Sequence, residues 1–306
     1  MNKNKKIDQN IGAVFNLLRK SRKLTQTEAA KGVMSATELS SFENGKVMPG
    51  ADKVFRLLSN INVTLLEFQD EYNTYLGKSD ILLYDDAAIS NAYFSQDFGK
   101  LETILEEIKN QIKHAPDILK YKLDKGKVEA IMEVINPSFQ VPQEDKELIK
   151  DYLLRLKSWR LYDLLLFDHC LNFFEFGSFL KIIDRLTKFT GKNLNIPSVK
   201  RAFIQTCLTA IDTCILQKYY PLAEELVEFL TNFRSSDYNM YENLTLKYNK
   251  VKLGYLTGKI KKSSAFNEMN KCRDALLFCD CPNTANLIQR EIEALDKLDV
   301  SKQEQT

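Results

Sequence analysis

The residues of this chain that could do chemistry are few and unevenly placed. Acid–base work near neutral pH has only His114 and His169 to draw on, and neither stands in a recognisable nucleophile or acid–base arrangement. Neither the phosphate loop G-x-x-x-x-G-K-[ST] nor the dinucleotide fingerprint G-x-G-x-x-G occurs. The six cysteines are Cys170, Cys207, Cys214, Cys272, Cys279 and Cys281. His169-Cys170 and Cys279-x-Cys281 are the tight clusters, and neither has C-x2-C spacing. Cys207/Cys214 and Cys272/Cys279 are each seven apart, the spacing of one helix face. This pattern predicts small buried apolar residues in a reducing compartment, with a thiol redox switch as the open alternative. No catalytic residue, cofactor or metal is expected. What remains is hydrogen-bonding and ionic chemistry, and it concentrates near the N-terminus.

Residues 1–56 carry eleven Lys and Arg against five Asp and Glu, whereas the whole chain sums to only +2. A basic head on a mildly acidic body suits a polyanionic partner, although a solvated basic face accounts for the charge equally well. Within the head, the segment Ser35 to Glu43 turns Leu39 and Phe42 inward and Ala36, Thr37, Ser40 and Ser41 outward. Short hydroxyls and a methyl group can meet base edges, and a free helix N-terminus attracts phosphate.

Five short helices must position that segment. Ile11, Val14, Phe15 and Leu18 form the apolar stripe of the first. Thr25-Gln26-Thr27-Glu28, Ser35-Ala36-Thr37-Glu38 and Thr64-Leu65-Leu66-Glu67 read as capping boxes, each contributing about 1 kcal/mol to the helix that it opens. Gly32 suits a left-handed helix stop, and Asn44-Gly45 a turn. A fourth helix runs from about Ala51 to Ile61 with Val54, Phe55, Leu57 and Leu58 inward. Helices this short need one shared core. Two consecutive helices joined at a glycine turn, the second opening on small polar residues, is the layout of a helix-turn-helix reader.

The junction at 76–82, with Gly77, divides the chain into domains 1–76 and 77–306. Beyond it every stretch keeps helical periodicity, so the class is all-α. Helices are expected over 82–94, 97–113, 117–135, 143–157, 159–175, 178–189, 197–217, 221–233, 239–256, 263–280 and 284–298. Breaks are expected at Pro116, Pro137, Pro142, Pro197, Pro221 and Pro282 and at Gly177, Gly191 and Gly258. Helix pairs at a spacing near 40 residues are similar to a tetratricopeptide-like array. Leu287, Ile288, Ile292, Leu295 and Leu298 stripe the last helix, either capping the array or forming a dimer seam. No run is long and apolar enough to span a membrane, and MNKNKKIDQN lacks the apolar core of a signal peptide, so a cytoplasmic location is expected.

The run LTQTEAAKGVMSATELSSFENGKVMPGADKVFRLLSNINVTLLEF resembles the lambda-repressor-like, Xre-type helix-turn-helix family. It carries T-Q-x-E, a glycine-valine-serine entry to the reading helix, S-x-x-E-x-G, a proline and a closing V-T-L-x-E-F. Met34, lying between Gly32-Val33 and Ser35, departs from the family's pattern by one residue. The resemblance covers about residues 8–72. Together with the long helical remainder, LSSFENGK, LLSNINVTLLEF and LLRLKSWRLYDLLLFDHCLNF resemble the Rgg/GadR/MutR regulators.

These resemblances imply a five-helix lambda-repressor-like helix-turn-helix domain followed by a tetratricopeptide-like right-handed helical array. By the same implication Gln26 bonds a phosphate, Thr37 and Ser41 read base edges, and Asn44 and Lys46 clamp phosphate after the reading helix. Ala36 suits a thymine methyl, while Ser35 and Glu38 are largely consumed by the cap. Arg19 and Glu43 match the family's salt bridge between the first and third helices. Lys20, Arg22 and Lys23 can flank the duplex, and Lys3, Lys5 and Lys6 form either a minor-groove arm or a loose tail. The family's C-terminal domain binds short secreted signalling peptides and forms homodimers. Peptide contacts are expected from Asn249, from Arg155 and from Arg160. Arg155 has a competing partner in Asp151, four residues earlier. Trp159 and Tyr162 fit the core. The expected function is sequence-specific recognition of two half-sites on double-stranded DNA by a homodimer under peptide control. The alternative is a constitutive dimeric regulator whose C-terminal domain only oligomerises or binds a non-peptide ligand.

Overall fold

A computed structural model of the chain describes residues 9–77, 87–189, 192–233 and 239–303, so Lys3, Lys5 and Lys6 lie outside the described residues. Among those residues are sixteen α-helices and no strand. The chain divides into two compact units, Met1–Ser90 and Asn91–Thr306.

The first unit contains α1 (Gln9–Ser21), α2 (Gln26–Ala30), α3 (Ala36–Glu43), α4 (Ala51–Asn60) and α5 (Leu65–Leu76). Thr25, Ser35 and Thr64 each cap a helix, and the glutamate three residues on closes each box. Val14, Phe15, Ala29, Leu39, Phe42, Leu57 and Ile61 are buried in one core, with the Phe15 and Phe42 rings 5.8 Å apart. Two of the glycines bear directly on the placement of α3. Gly32 takes φ +73° after α2, which L side chains rarely adopt. Gly12 sits where α1 presses on the end of α3, and a Cβ there would lie 2.0 Å from the Phe42 carbonyl oxygen. Phe55 is a correction: it is 54% exposed, because α4 turns Val54, Leu57 and Leu58 inward and 55 falls on the opposite side.

The second unit is a two-layer helical array. α6 (Ala87–Phe94) spans the division between the units and leads into α7 (Phe98–His114), α8 (Leu119–Ile135), α9 (Gln143–Arg155), α10 (Leu161–His169) and α11 (Phe176–Thr187). There follow α12 (Pro197–Leu216), α13 (Tyr220–Asn232), α14 (Met240–Leu256), α15 (Lys262–Phe278) and α16 (Pro282–Gln303). α8, α10, α12 and α14 stack in succession as one layer. α9 packs on α8 and α11, α13 on α12 and α14, and α15 on α14 and α16. Prolines 197, 221 and 282 stand at helix starts, where a missing N–H costs nothing.

Three details differ from the pattern of the sequence. The helix expected over 159–175 stops at His169, a 3-10 turn covers Leu171–Phe173, and Gly177 lies inside α11 and not at a break. The cause is tertiary: Phe167 gathers Trp159, Phe174 and Phe179 around its ring, and the chain must bend to bring them there. An apolar run this dense has no periodicity from which to locate the bend. Of the cysteines, Cys170, Cys207, Cys214 and Cys272 are buried, but Cys279 and Cys281 are exposed at the α15–α16 turn. On α16, Ile288 and Ile292 are buried in a core shared with α14 and α15, while Leu287 faces outward; the Leu298 side chain lies outside the described ones.

Candidate nucleic-acid interface

The site is built on α3. Ser35 opens it: its Oγ accepts from the Glu38 amide, and the Glu38 carboxylate accepts from the Ser35 amide at 2.8 Å and the Ser35 hydroxyl at 3.0 Å. Those two donors, the amide first, hold the Glu38 carboxyl below its ordinary range. Glu38 is thus an ionised cap, with its acceptor capacity directed back at Ser35. On the outer side Thr37 is exposed and Ala36, Ser40 and Ser41 are half-exposed, whereas Leu39 and Phe42 are buried. At the far end Asn44 Nδ2 donates to the Ser40 carbonyl at 2.7 Å, and Lys46 is exposed. The Gly32 turn absorbs the extra Met34: the amides of Val33 and Met34 both close on the Ala30 carbonyl, at 2.9 and 3.1 Å.

One buried carboxylate sets the pose of α3. Glu43 accepts from Arg19 Nε at 2.6 Å and from a second Arg19 nitrogen at 2.8 Å, with the two side chains 8% and 1% exposed. Arg19 also donates to the Leu24 carbonyl and to Asn16 Oδ1. The Glu43 hydrogen bonds are the main reason that the guanidinium pKa lies above its ordinary value. A planar fork on a carboxylate fixes direction as well as distance, so the pair orients α1 against α3.

Gln26, read as a phosphate donor, is half-buried and donates its Nε2 to Glu43 at 2.8 Å. One amide hydrogen is therefore engaged, and an amide has a second. The sequence shows neither this bond nor the role of Asn60, whose Nδ2 donates to the carbonyls of Ala29 and Lys31 at 2.8 and 2.9 Å. Asn60 closes the end of α2, a five-residue helix that cannot satisfy its own last carbonyls. A polar residue ending α4 was the available signal, without its partner.

In the second unit the residues read for peptide contact are apart. Arg155, at the end of α9, is 80% exposed and reaches Asp151 at 3.3 Å. Arg160 precedes α10, where its backbone N–H donates to Asp163 at 2.8 Å. Asn249 lies on α14 and is fully buried. Trp159 between the arginines is buried, and Tyr162 donates to Asp124 at 3.0 Å. Among the described residues no group of His, Cys, Asp and Glu is placed to hold a metal ion, and no helix is long and apolar enough to cross a membrane.

Both units match known proteins. Residues 17–68 match a helix-turn-helix family model. Residues 104–290 match the C-terminal domain of the HTH-type transcriptional regulator Rgg. Among solved structures, a protein from Listeria monocytogenes EGD-e is similar with a TM-score of 0.77 at 18% identity, over 95% of this chain and 99% of that one. The SHP pheromone receptor Rgg2 of Streptococcus dysgalactiae gives 0.74 at 18%, over 92% and 99%. A bacterial peptide pheromone/receptor complex gives 0.63 at 16%, over 95% and 98%. At such identities the structures establish the shared fold. The family match spans well over half of the chain, from α7 into α16, and the helix-turn-helix unit precedes it: the chain belongs to the Rgg family of HTH-type transcriptional regulators.

Proposed function

We propose that the chain acts as a homodimer that recognises two DNA half-sites, with 1–76 as the DNA-binding domain and 77–306 as a peptide-binding and dimerisation domain. The observation that carries the reading is the outer face of α3. Small polar side chains are presented there on a helix whose orientation a buried ion pair fixes. Thr37, Ser41 and Ala36 meet base edges and Gln26, Asn44 and Lys46 address phosphates, while Ser35, both of whose donors go to Glu38, holds the start of the helix. None of these makes an arginine-like bidentate contact, so each head discriminates modestly, and phosphates supply most of the affinity. Specificity then comes from pairing two heads on sites about 34 Å apart.

Peptide control is supported by the pheromone receptors that share the fold. Arg155 is held only by an exposed pair with Asp151, an interaction worth about 0–1 kcal/mol that a peptide carboxylate can displace. Phe278, 91% exposed, gives a second copy an apolar surface to cover. A peptide that binds one arrangement of the array better than another shifts the population of DNA-competent dimers.

Selection from random duplexes by gel shift, with and without synthetic apolar octapeptides, tests the reading. A two-fold-related consensus whose occupancy changes with peptide supports it. A consensus insensitive to every peptide leaves a constitutive regulator, and no consensus at all removes sequence-specific recognition.

A further inference from the structure

α12, α14 and α16 enclose a cavity of about 180 Å³, lined among others by Asp212, Thr245, Tyr248, Asn249, Leu287 and Glu291. Sites that enclose a whole small ligand occupy roughly 300–1,000 Å³, so this one suits a single side chain or a chain end. On α14, Thr245, Tyr248, Asn249 and Lys252 recur at the spacing of one helix face.

Two independent features distinguish the cavity. Asn249 is 0% exposed, yet neither its Oδ1 nor its Nδ2 has a hydrogen-bond partner. It faces Asp212 closely enough to favour the charged carboxylate, without completing a bond of good geometry. Buried amides are nearly always paired, and this one is aimed into the cavity.

The second feature is a charge left over. Lys252 Nζ lies 2.7 Å from Glu291 and 3.8 Å from Asp212. The Tyr248 hydroxyl donates to the same Glu291 oxygen at 2.6 Å. Glu291 is therefore neutralised and hydrogen-bonded, while Asp212 has the farther side of the same ammonium and the incomplete approach of Asn249. Desolvation chiefly, opposed by Lys252 and reinforced by Glu291, raises the Asp212 carboxyl above its ordinary range. Elsewhere on this face a buried carboxylate comes with its own donors: Glu242 accepts from Arg201 at 2.8 Å and from Gln205 at 3.1 Å. Asp212 lines the cavity with its side chain 41% exposed, and its cation stands at 3.8 Å, against 2.7 Å for Glu291.

We propose that this cavity receives a primary ammonium group of a bound peptide, either its free amino terminus or a lysine side chain, with Asp212 as counter-charge and Asn249 bonding the adjoining peptide unit. The assignment rests on the peptide-control reading above. A side-chain amide offers both an acceptor and donors, the complement of a backbone C=O and N–H. An ammonium ion satisfies Asp212 without competing with Lys252, which remains on Glu291.

The test uses the full-length chain and a synthetic random octapeptide library, half of it capped with an isotopically marked N-acetyl group, with retained peptides read by mass spectrometry. Peptides that are uncapped or contain lysine are expected to be retained at least about tenfold over capped, lysine-free ones. The capped lysine-bearing and uncapped lysine-free classes identify which source of ammonium is used. Asp212→Asn is expected to flatten this preference while peptides are still retained, and Asp212→Glu to keep it. Equal retention of all classes by the wild-type chain overturns the assignment, and so does a preference that survives Asp212→Asn. If no peptide is retained, the peptide-control reading falls as well, and that outcome is distinct from retention without preference.

Discussion

Replacing Arg19 by methionine tests whether one ion pair orients the reading helix. The substitution keeps length and apolar volume but removes the fork that holds Glu43, whose side chain is 1% exposed. Glu43 then keeps only Gln26 as a donor, and the Leu24 carbonyl and Asn16 lose theirs. Breaking a buried pair by deleting one partner costs about 3–5 kcal/mol, because the survivor is charged and dry. The remaining bond from Gln26 places this case at the lower end, about 3 kcal/mol. The double variant Arg19→Met/Glu43→Leu leaves no stranded charge and is expected within about 1 kcal/mol of wild type. A melting curve of a two-unit chain mixes transitions, so the readout is amide hydrogen exchange of α1–α3 within the full-length protein. A loss of 3 kcal/mol speeds exchange there by about 10²-fold, and the double variant restores most of the protection. Exchange in Arg19→Met that overlays wild type, or a double variant as labile as the single, refutes the reasoning.

Gly12→Ala puts a methyl 2.0 Å from the Phe42 carbonyl oxygen, so α1 must lift from α3. We expect a cost of about 1–3 kcal/mol or more, visible as faster exchange in α1 and weaker DNA binding. Lys46→Ala removes one exposed cation beside α3; binding is expected to weaken on all duplexes alike, and the slope of log affinity against log salt to fall by about 1 per head. Glu129 is buried on α8, with one carboxylate oxygen unpartnered, and its carboxyl is pushed up to about 7 by burial first and by Asp145 second, with Lys125 opposing. The folded protein therefore binds the proton more tightly than the unfolded chain. This group's contribution is most favourable below the unfolded value near 4.5 and is lost as pH rises through about 7. Glu129→Gln is expected to stabilise the second unit by about 3 kcal/mol at pH 8 and by less than about 1 kcal/mol at pH 5. Urea unfolding followed by Trp159 fluorescence measures this, and an equal effect at both pH values contradicts it.

Local rules were legible in the sequence, and rules of tertiary partnership were not. The capping boxes at Thr25, Ser35 and Thr64 each involve residues three apart, so their bonds can be read before any fold is known. Prolines 197, 221 and 282 marked helix starts for the same reason. Phe55 reads as inward because it is apolar, but the angle at which α4 meets the core decides its side. The bend after His169 depends on where Phe167 finds Trp159, Phe174 and Phe179. Within the candidate site, resemblance pointed to Arg19 and Glu43, but no spacing rule joins Gln26 to Glu43 across seventeen residues or Asn60 to Ala29 across thirty-one. Gly12 carries no signal beyond being a glycine in an amphipathic stripe; its necessity appears only when α3 is laid against α1. Asn249 was recognisable as an amide on a first helix, whereas its burial without partners beside Asp212 belongs to the packed array.

The central claim is that the outer face of α3 lies in the major groove and reads bases. Selection of operators from random duplexes by the wild-type chain and by Thr37→Arg tests it most directly, since an arginine at an exposed reading position gains bidentate contact to guanine. The expected result is the same two-fold consensus with one position per half-site changed to guanine and the spacing unchanged. An identical consensus from both proteins, with undiminished affinity, would show that α3 does not face the bases.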